Sequence, residues 1–466
     1  MLARSRLPPA FVLPMLALAA LGPGSARADV PSIALDFQRT RLANGLDVIV
    51  HEDHRTPIAT VNLWYHVGSK DEPAGKNGFA HLFEHVMFQG SKHVPEDTFF
   101  RDLERAGATD INGTTGADRT NYFETVPANQ LELALWLESD RMGFLLDHVD
   151  QATFAGQRDV VKNERRQNYE NAPYGLVGQY IRNAVYPPAH PYHNLTIGSP
   201  KDLDAATLDD VRAFFRTWYV PNNATLVIAG DVDRKTALAL VDRYFGPIPS
   251  GALPDRAAQS DPAVVKIDGE KRLEVSAGVE LGRVYLTWST PRIYTADDGQ
   301  LDLLAHVLAG GKTSRLYKRL VYDMQIAQDV TAYQASEQLG SQFEIVATAK
   351  PHHTPVELLK VIDEELDRLR AHGVTDPELA RAKTITLSHM VFDLERDGSR
   401  ANAINGYAQL AGDPGFLPKD LARYDAATPE QVLATARRWI APHERVVTIV
   451  TPTKGAAVSG ELRGSK

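Results

Sequence analysis

Two imidazoles and a carboxylate fall within five residues at His81-Leu82-Phe83-Glu84-His85. Positions four apart share a helix face, so His81 and His85 can aim ring nitrogens at one cation, with Glu84 beside them. The order H-x-x-E-H is the inverted zinc-hydrolase signature. A carboxylate that does not bind the metal can take a proton from a water whose pKa the cation has lowered. Such centres usually have three protein ligands and an open fourth position, so a third ligand must come from elsewhere. Glu164 is the candidate. It lies in a helical stretch from Gln151 to Asn171, where Phe154, Val160 and Val161 keep helical apolar spacing and Pro173 follows the end. Gln157, seven residues earlier, shares its face.

These residues need elements to hold them. Gly75 and Gly78 read as a loop before the metal-motif helix; Phe79, Leu82, Phe83 and Val86 bury it, and Gly90-Ser91 stop it. The chain has 466 residues, 43% hydrophobic and 23% charged, which is globular and too long for one core. A Pro/Gly-rich linker at 250–262 divides it into halves of similar size. Both mix strand-like runs (Val61–Val67, Thr225–Gly230, Arg283–Trp288, Phe343–Thr348) with amphipathic helical stretches such as Asn129–Leu146 and Pro355–Arg370. The fold class is α+β. The absence of cysteine excludes thiol catalysis and thiolate zinc sites, and a net charge of −9 without a basic run points away from nucleic acid.

Several stretches in order resemble the pitrilysin-like (M16) metallopeptidases. They are Gly78 to His85; Asp110-Ile111-Asn112-Gly113-Thr114-Thr115 with Asp118, Thr120 and Tyr122; Arg158 to Glu164; His193 to Ser199; and Tyr219 to Val232. The resemblance implies two homologous LuxS/metallohydrolase-like α+β halves forming a clamp around a central chamber: a zinc-bearing domain at 29–249 and an inactive domain at 263–455. It implies one Zn2+ per chain on His81, His85 and Glu164, Glu84 as general base, and a substrate-binding edge strand near Asn112 and Gly113. An edge strand suits a peptidase because its free N–H and C=O groups can hold any extended peptide.

The chain departs from the family pattern twice. Gln157 stands where many members have a second glutamate; its amide can hydrogen-bond a ligand histidine but brings no charge. Val321 and Gln328 fall where self-sufficient relatives carry an arginine and a tyrosine that grip substrate, with Arg315 and Tyr317 as nearby alternatives. The resemblance therefore implies the catalytic subunit of a heterodimer whose M16-like partner supplies the Arg/Tyr pair. The other reading is a non-catalytic peptide-binding or assembly subunit with a structural or absent metal.

Arg4 and Arg6, an apolar Phe11–Leu21 and Ala26-Arg27-Ala28 read as a signal peptide over 1–28, with mature protein from Asp29, export to a periplasm and no membrane span in the mature chain. Residues 456–466 read as a flexible tail.

Overall fold

The computed structural model describes residues 33–256 and 263–463. The expected signal peptide lies outside the described residues, as do 257–262 of the expected linker.

The first half is built on a six-stranded sheet of β1 (Gln38–Arg41), β2 (Asp47–Glu52), β3 (Ile58–Tyr65), β4 (Thr109–Thr115), β5 (Thr120–Pro127) and β6 (Ala224–Gly230), in the order β1-β2-β6-β3-β5-β4. Only β2 and β6 run parallel. Every residue of β6 is buried, because both faces of the sheet centre are covered. One face packs on the helices Phe79–Val86, Leu131–Phe144, Leu208–Trp218 and Arg234–Phe245. The order leaves β4 at the sheet's end.

The second half has β7 (Lys271–Ala277), β8 (Arg283–Thr290), β9 (Ala327–Ala335), β10 (Ser341–Ala349), β11 (Val446–Pro452) and β12 (Glu461–Leu462), in the order β12-β7-β11-β8-β10-β9. The order β7-β11-β8-β10-β9 repeats β2-β6-β3-β5-β4, with β7 and β11 as the parallel pair, while the sixth place, taken by β1 ahead of β2 in the first sheet, is taken here by β12 after β11. The helix Leu208–Trp218, opened by a Thr207/Asp210 capping box, leads through Pro221 to β6; Pro429–Trp439, opened by Thr428/Gln431, leads through Pro442 to β11. The duplication rests on topology and caps rather than on shared core residues.

Each sheet's second face is covered by a helix from the other half. Ala401 and Ile404 of the Asp397–Gly406 helix bury against Ile49, Val227 and Ala229, while Val177, Ile181 and Val185 of the Val177–Val185 helix bury against Val275, Val446 and Val450. Fully burying such aliphatic side chains contributes about 1.5–3 kcal/mol each, so this exchange ties the halves into one body. Polar contacts add direction. Asn405 Nδ2 donates to Asn62 O at 2.9 Å, and Asp118 Oδ1 and Oδ2 accept from Tyr192 OH (2.6 Å) and Gln338 N–H (3.0 Å). Between the first sheet and the second half's helices lies a cavity of about 820 Å³.

Two expectations are corrected. Residues 456–463 are not a flexible tail: β12 pairs with β7, and the carbonyls of Val458 and Ser459 accept from Tyr174 and Leu176 N–H. They cover an edge that β7 would otherwise expose. In the helix Gln151–Arg165, Phe154 and Val161 are buried but Val160 faces solvent, since the packed stripe runs seven residues from 154 to 161.

Candidate metal centre

The Phe79–Val86 helix presents His81, Glu84 and His85 on one side and buries Phe79, Leu82, Phe83 and Val86 on the other. Phe83 packs against Phe214, Phe215 and Tyr219, with ring centroids 5.1, 6.3 and 5.1 Å away. The Glu72 carboxylate holds the helix start, accepting from Gly78 N–H at 3.0 Å and Ala80 N–H at 2.9 Å. Gly78 has φ +102°, and its backbone abuts Gly198 so closely that a Cβ on Gly198 would sit 2.2 Å from Gly78 Cα. The stretch His193–Ser199 thus seats the metal-motif helix.

The helix Gln151–Arg165 begins at Asp150, whose side chain caps Ala152 and Thr153 N–H, and brings Glu164 across to the two histidines. Glu164 Oε2 lies 3.6 Å from His81 Nε2 and 3.3 Å from His85 Nε2. Among the described residues, these three form the one group of His, Cys, Asp or Glu whose ligand atoms lie within 4.8 Å of one another. Tetrahedral zinc, with ligand bonds of about 2.0–2.1 Å, holds neighbouring ligand atoms about 3.4 Å apart, so the donors fit that ion and leave a fourth position. Burial lowers His81 to about 4, with His85 adding to the shift and Glu164 opposing it; burial lowers His85 too, against Glu164. Neutral imidazoles are the ligand form.

Glu84 stands outside the donor set. Thr115 Oγ1–H donates to Glu84 Oε2 at 2.5 Å; burial raises the carboxyl's pKa, while this bond and the nearby Arg119 oppose the rise. Thr115 and Gly113 share one face of β4, as alternation requires, and turn it toward Glu84. Gly113 is a close approach: an added Cβ would lie 3.1 Å from each of Glu84 Cγ, Phe88 Cε2 and Tyr122 Cδ1. Both rings are held, with Phe88 against Phe99 and Phe100, and Tyr122 fully buried. Gly113→Ala should therefore destabilise the fold by about 1–3 kcal/mol. An unchanged melting temperature would show that the rings yield freely.

The outer neighbours include groups that the sequence did not single out for a role. Thr115 is one, although strand alternation would have found it once β4 was placed; Glu72 left no local signal. Asn112 Oδ1 accepts from Gly113 N–H at 2.8 Å. Gln157 lies two turns before Glu164, but no hydrogen bond among the described residues uses its amide, and His81 Nδ1 is buried without a partner. In the second half Arg315 Nε and Nη2 donate to Glu378 at 2.7 Å each, while Tyr317 and Val321 pack on that half's core and Gln328 is exposed on β9.

Residues 47–190 match the family model for insulinase (peptidase family M16), and residues 205–386 match the model for the peptidase M16 inactive domain. The zinc protease PqqE of Helicobacter pylori is 30% identical over 370 residues, 78% of this chain and 82% of that protein. An uncharacterized zinc protease of Streptomyces coelicolor is 28% identical over 408 residues, 86% of each. Among solved structures, a protease from Helicobacter pylori superposes with TM-score 0.83 at 27% identity, covering 90% of this chain and all of that one. The periplasmic protease PqqL of Escherichia coli superposes with TM-score 0.75 at 18% identity, covering 92% of this chain and 49% of that one, which places the likeness in the fold.

Proposed function

Since the chain belongs to the insulinase-like peptidase family M16, we propose that it is a zinc-dependent endopeptidase acting on peptides or unfolded polypeptides, with one Zn2+ held by His81, His85 and Glu164. The observation that carries this reading is the convergence of three donors beside a carboxylate that is not one of them. Bound there, zinc supplies Lewis-acid chemistry, lowering the pKa of water toward neutrality and polarising a carbonyl. Glu84 is the general base. Its Oε2 is engaged by Thr115, which leaves Oε1 to accept the proton of the attacking water and pass it to the leaving amine. The terminal strand β4 takes substrate as a further strand through the backbone around Asn112 and Gly113, with Asn112 swinging from the Gly113 N–H to release that donor.

The chain is the catalytic subunit of a heterodimer, whose M16-like partner brings the Arg/Tyr pair that stabilises the developing oxyanion. Supporting this, Arg315 is committed to Glu378, and Val321 and Gln328 offer neither a cation nor a phenol. Signal-directed export places the protein in the periplasm, the compartment stated for PqqL. A second reading, a non-catalytic assembly subunit, draws on the inactive-domain match, on the uncharged Gln157 and on His81 Nδ1, which is buried without a hydrogen-bond partner.

The test is cleavage of a quenched fluorescent peptide by the mature chain, with chelator and then restored zinc. Chelator-sensitive cleavage by the chain alone would establish the peptidase and remove the need for a partner. Silence with zinc bound, relieved by a partner subunit, would establish the heterodimer; silence with both present would favour the assembly subunit.

A further inference from the structure

Arg119 closes the turn between β4 and β5 and borders the cavity between the halves. Its guanidinium lies over the Trp64 ring, 5.0 Å from the centroid. One nitrogen makes all its hydrogen bonds: Nη1 donates to Thr114 O at 2.7 Å, to Asn121 Oδ1 at 2.8 Å and to Thr114 Oγ1. Among the described residues nothing accepts from Nε or Nη2, and no carboxylate oxygen lies within the 4.0 Å of an ion pair. The neighbouring acids are engaged elsewhere, Asp118 by Tyr192 and Gln338, and Glu84 by Thr115. Burial works against the Arg119 charge, which Glu84 and Asp118 favour only from beyond ion-pair distance, and the Nε–Nη2 edge is the side-on fork that a carboxylate matches with two parallel bonds.

The strand fixes where such a carboxylate would come from. Gly113 and Thr115 turn toward Glu84, while Thr114 and Arg119 line the cavity on the other side of the same strand. A peptide paired to the free edge of β4 alternates its side chains between those two sides. Asp110 also lines the cavity, within the irregular stretch between Thr109 and Asn112 where the register of β4 against β5 shifts. It makes no ion pair with Arg119, and the carboxylates that act on the Arg119 charge are Glu84 and Asp118.

We propose that Arg119 is a carboxylate-binding subsite, taking an acidic side chain of a bound peptide at a position adjacent to the residue that faces Glu84. This rests on the peptidase reading for the identity of the ligand as a peptide. The resulting preference is for substrates with Glu or Asp beside the cleaved bond.

The experiment uses the full mature chain as zinc-loaded Glu84→Gln, so that binding is read without turnover. Its ligands are fluorescent peptides that carry Glu or Gln at each position in turn. At one position Glu should bind about tenfold more tightly than Gln, the yield expected of a charge-assisted pair, and the advantage should shrink as salt is raised. Arg119→Gln should erase the difference, Arg119→Lys should keep part of it, and Arg119→Glu should turn the preference toward Lys. A Glu preference absent from every position, or one that survives in Arg119→Gln, overturns the proposal. Should Arg119→Gln fail to fold by circular dichroism, Arg119→Lys against Arg119→Glu carries the test, and equal preferences in those two overturn it. Failure of the zinc-loaded wild-type chain to cleave any peptide even with its partner subunit present would refute the peptidase reading instead, and the binding comparison stands apart from it.

Discussion

Glu84→Gln should lower kcat/KM for peptide cleavage by about 10²–10⁴-fold while zinc content stays at one ion per chain. The substitution preserves shape: a glutamine Oε1 can still accept from Thr115 Oγ1, and the residue is not among the three converging donors. What it removes is the atom that takes the proton, since an amide at that place is not a base at neutral pH. Binding and proton transfer are thereby separated in one variant, provided metal is measured on the same sample as turnover. Cleavage near the wild-type rate would show that Glu84 is not the base. Loss of zinc together with activity would show instead that the carboxylate helps to hold the ion. Because Glu84 is half-buried and glutamine keeps its shape and its Thr115 hydrogen bond, the melting temperature of the apo variant should stay close to that of the wild type.

His85→Ala should weaken zinc binding more than about a hundredfold and abolish hydrolysis. Losing even an outer partner of a metal ligand costs about 10–100-fold, and here a direct donor is removed. The readout need not be activity. A ligand present at about a hundred times its dissociation constant stabilises the folded state by about 2.7 kcal/mol, so zinc should raise the melting temperature of the wild type and leave that of His85→Ala in place. The His85 side chain is 24% exposed and packs edge-on against the His81 ring, so its truncation removes little from the core. A zinc-dependent shift of full size in the variant would exclude His85 as a ligand.

The two histidines and Glu84 were legible because a helix makes residues four apart into neighbours, and that geometry needs nothing outside the helix. The burial of Phe79, Leu82, Phe83 and Val86 followed from the same period. Glu164 was legible only as a candidate that the H-x-x-E-H motif called for, because its approach to His81 and His85 depends on how two helices pack rather than on either one. Val160 shows where periodicity falls short: three apolar residues satisfied helical spacing, and packing chose Phe154 and Val161. The last strand was missed for a related reason. Glu461 and Leu462 have no strong strand pattern, and pairing with β7 orders them. The duplication was equally hidden, since it is conserved in strand order and caps while the core residues differ.

Composition and spacing carry the available chemistry, namely two imidazoles and a carboxylate within five residues, no thiols, and a chain long enough for two α+β halves. Only the packing of distant segments made β4 the end of its sheet, brought Thr115 to Glu84, and set Arg119 at a cavity between the halves without a contact ion pair. The division has a physical basis. Backbone geometry brings residues within one turn together whatever surrounds them, whereas sheet order and contacts between distant segments arise from burying apolar faces against each other, a property of the whole chain.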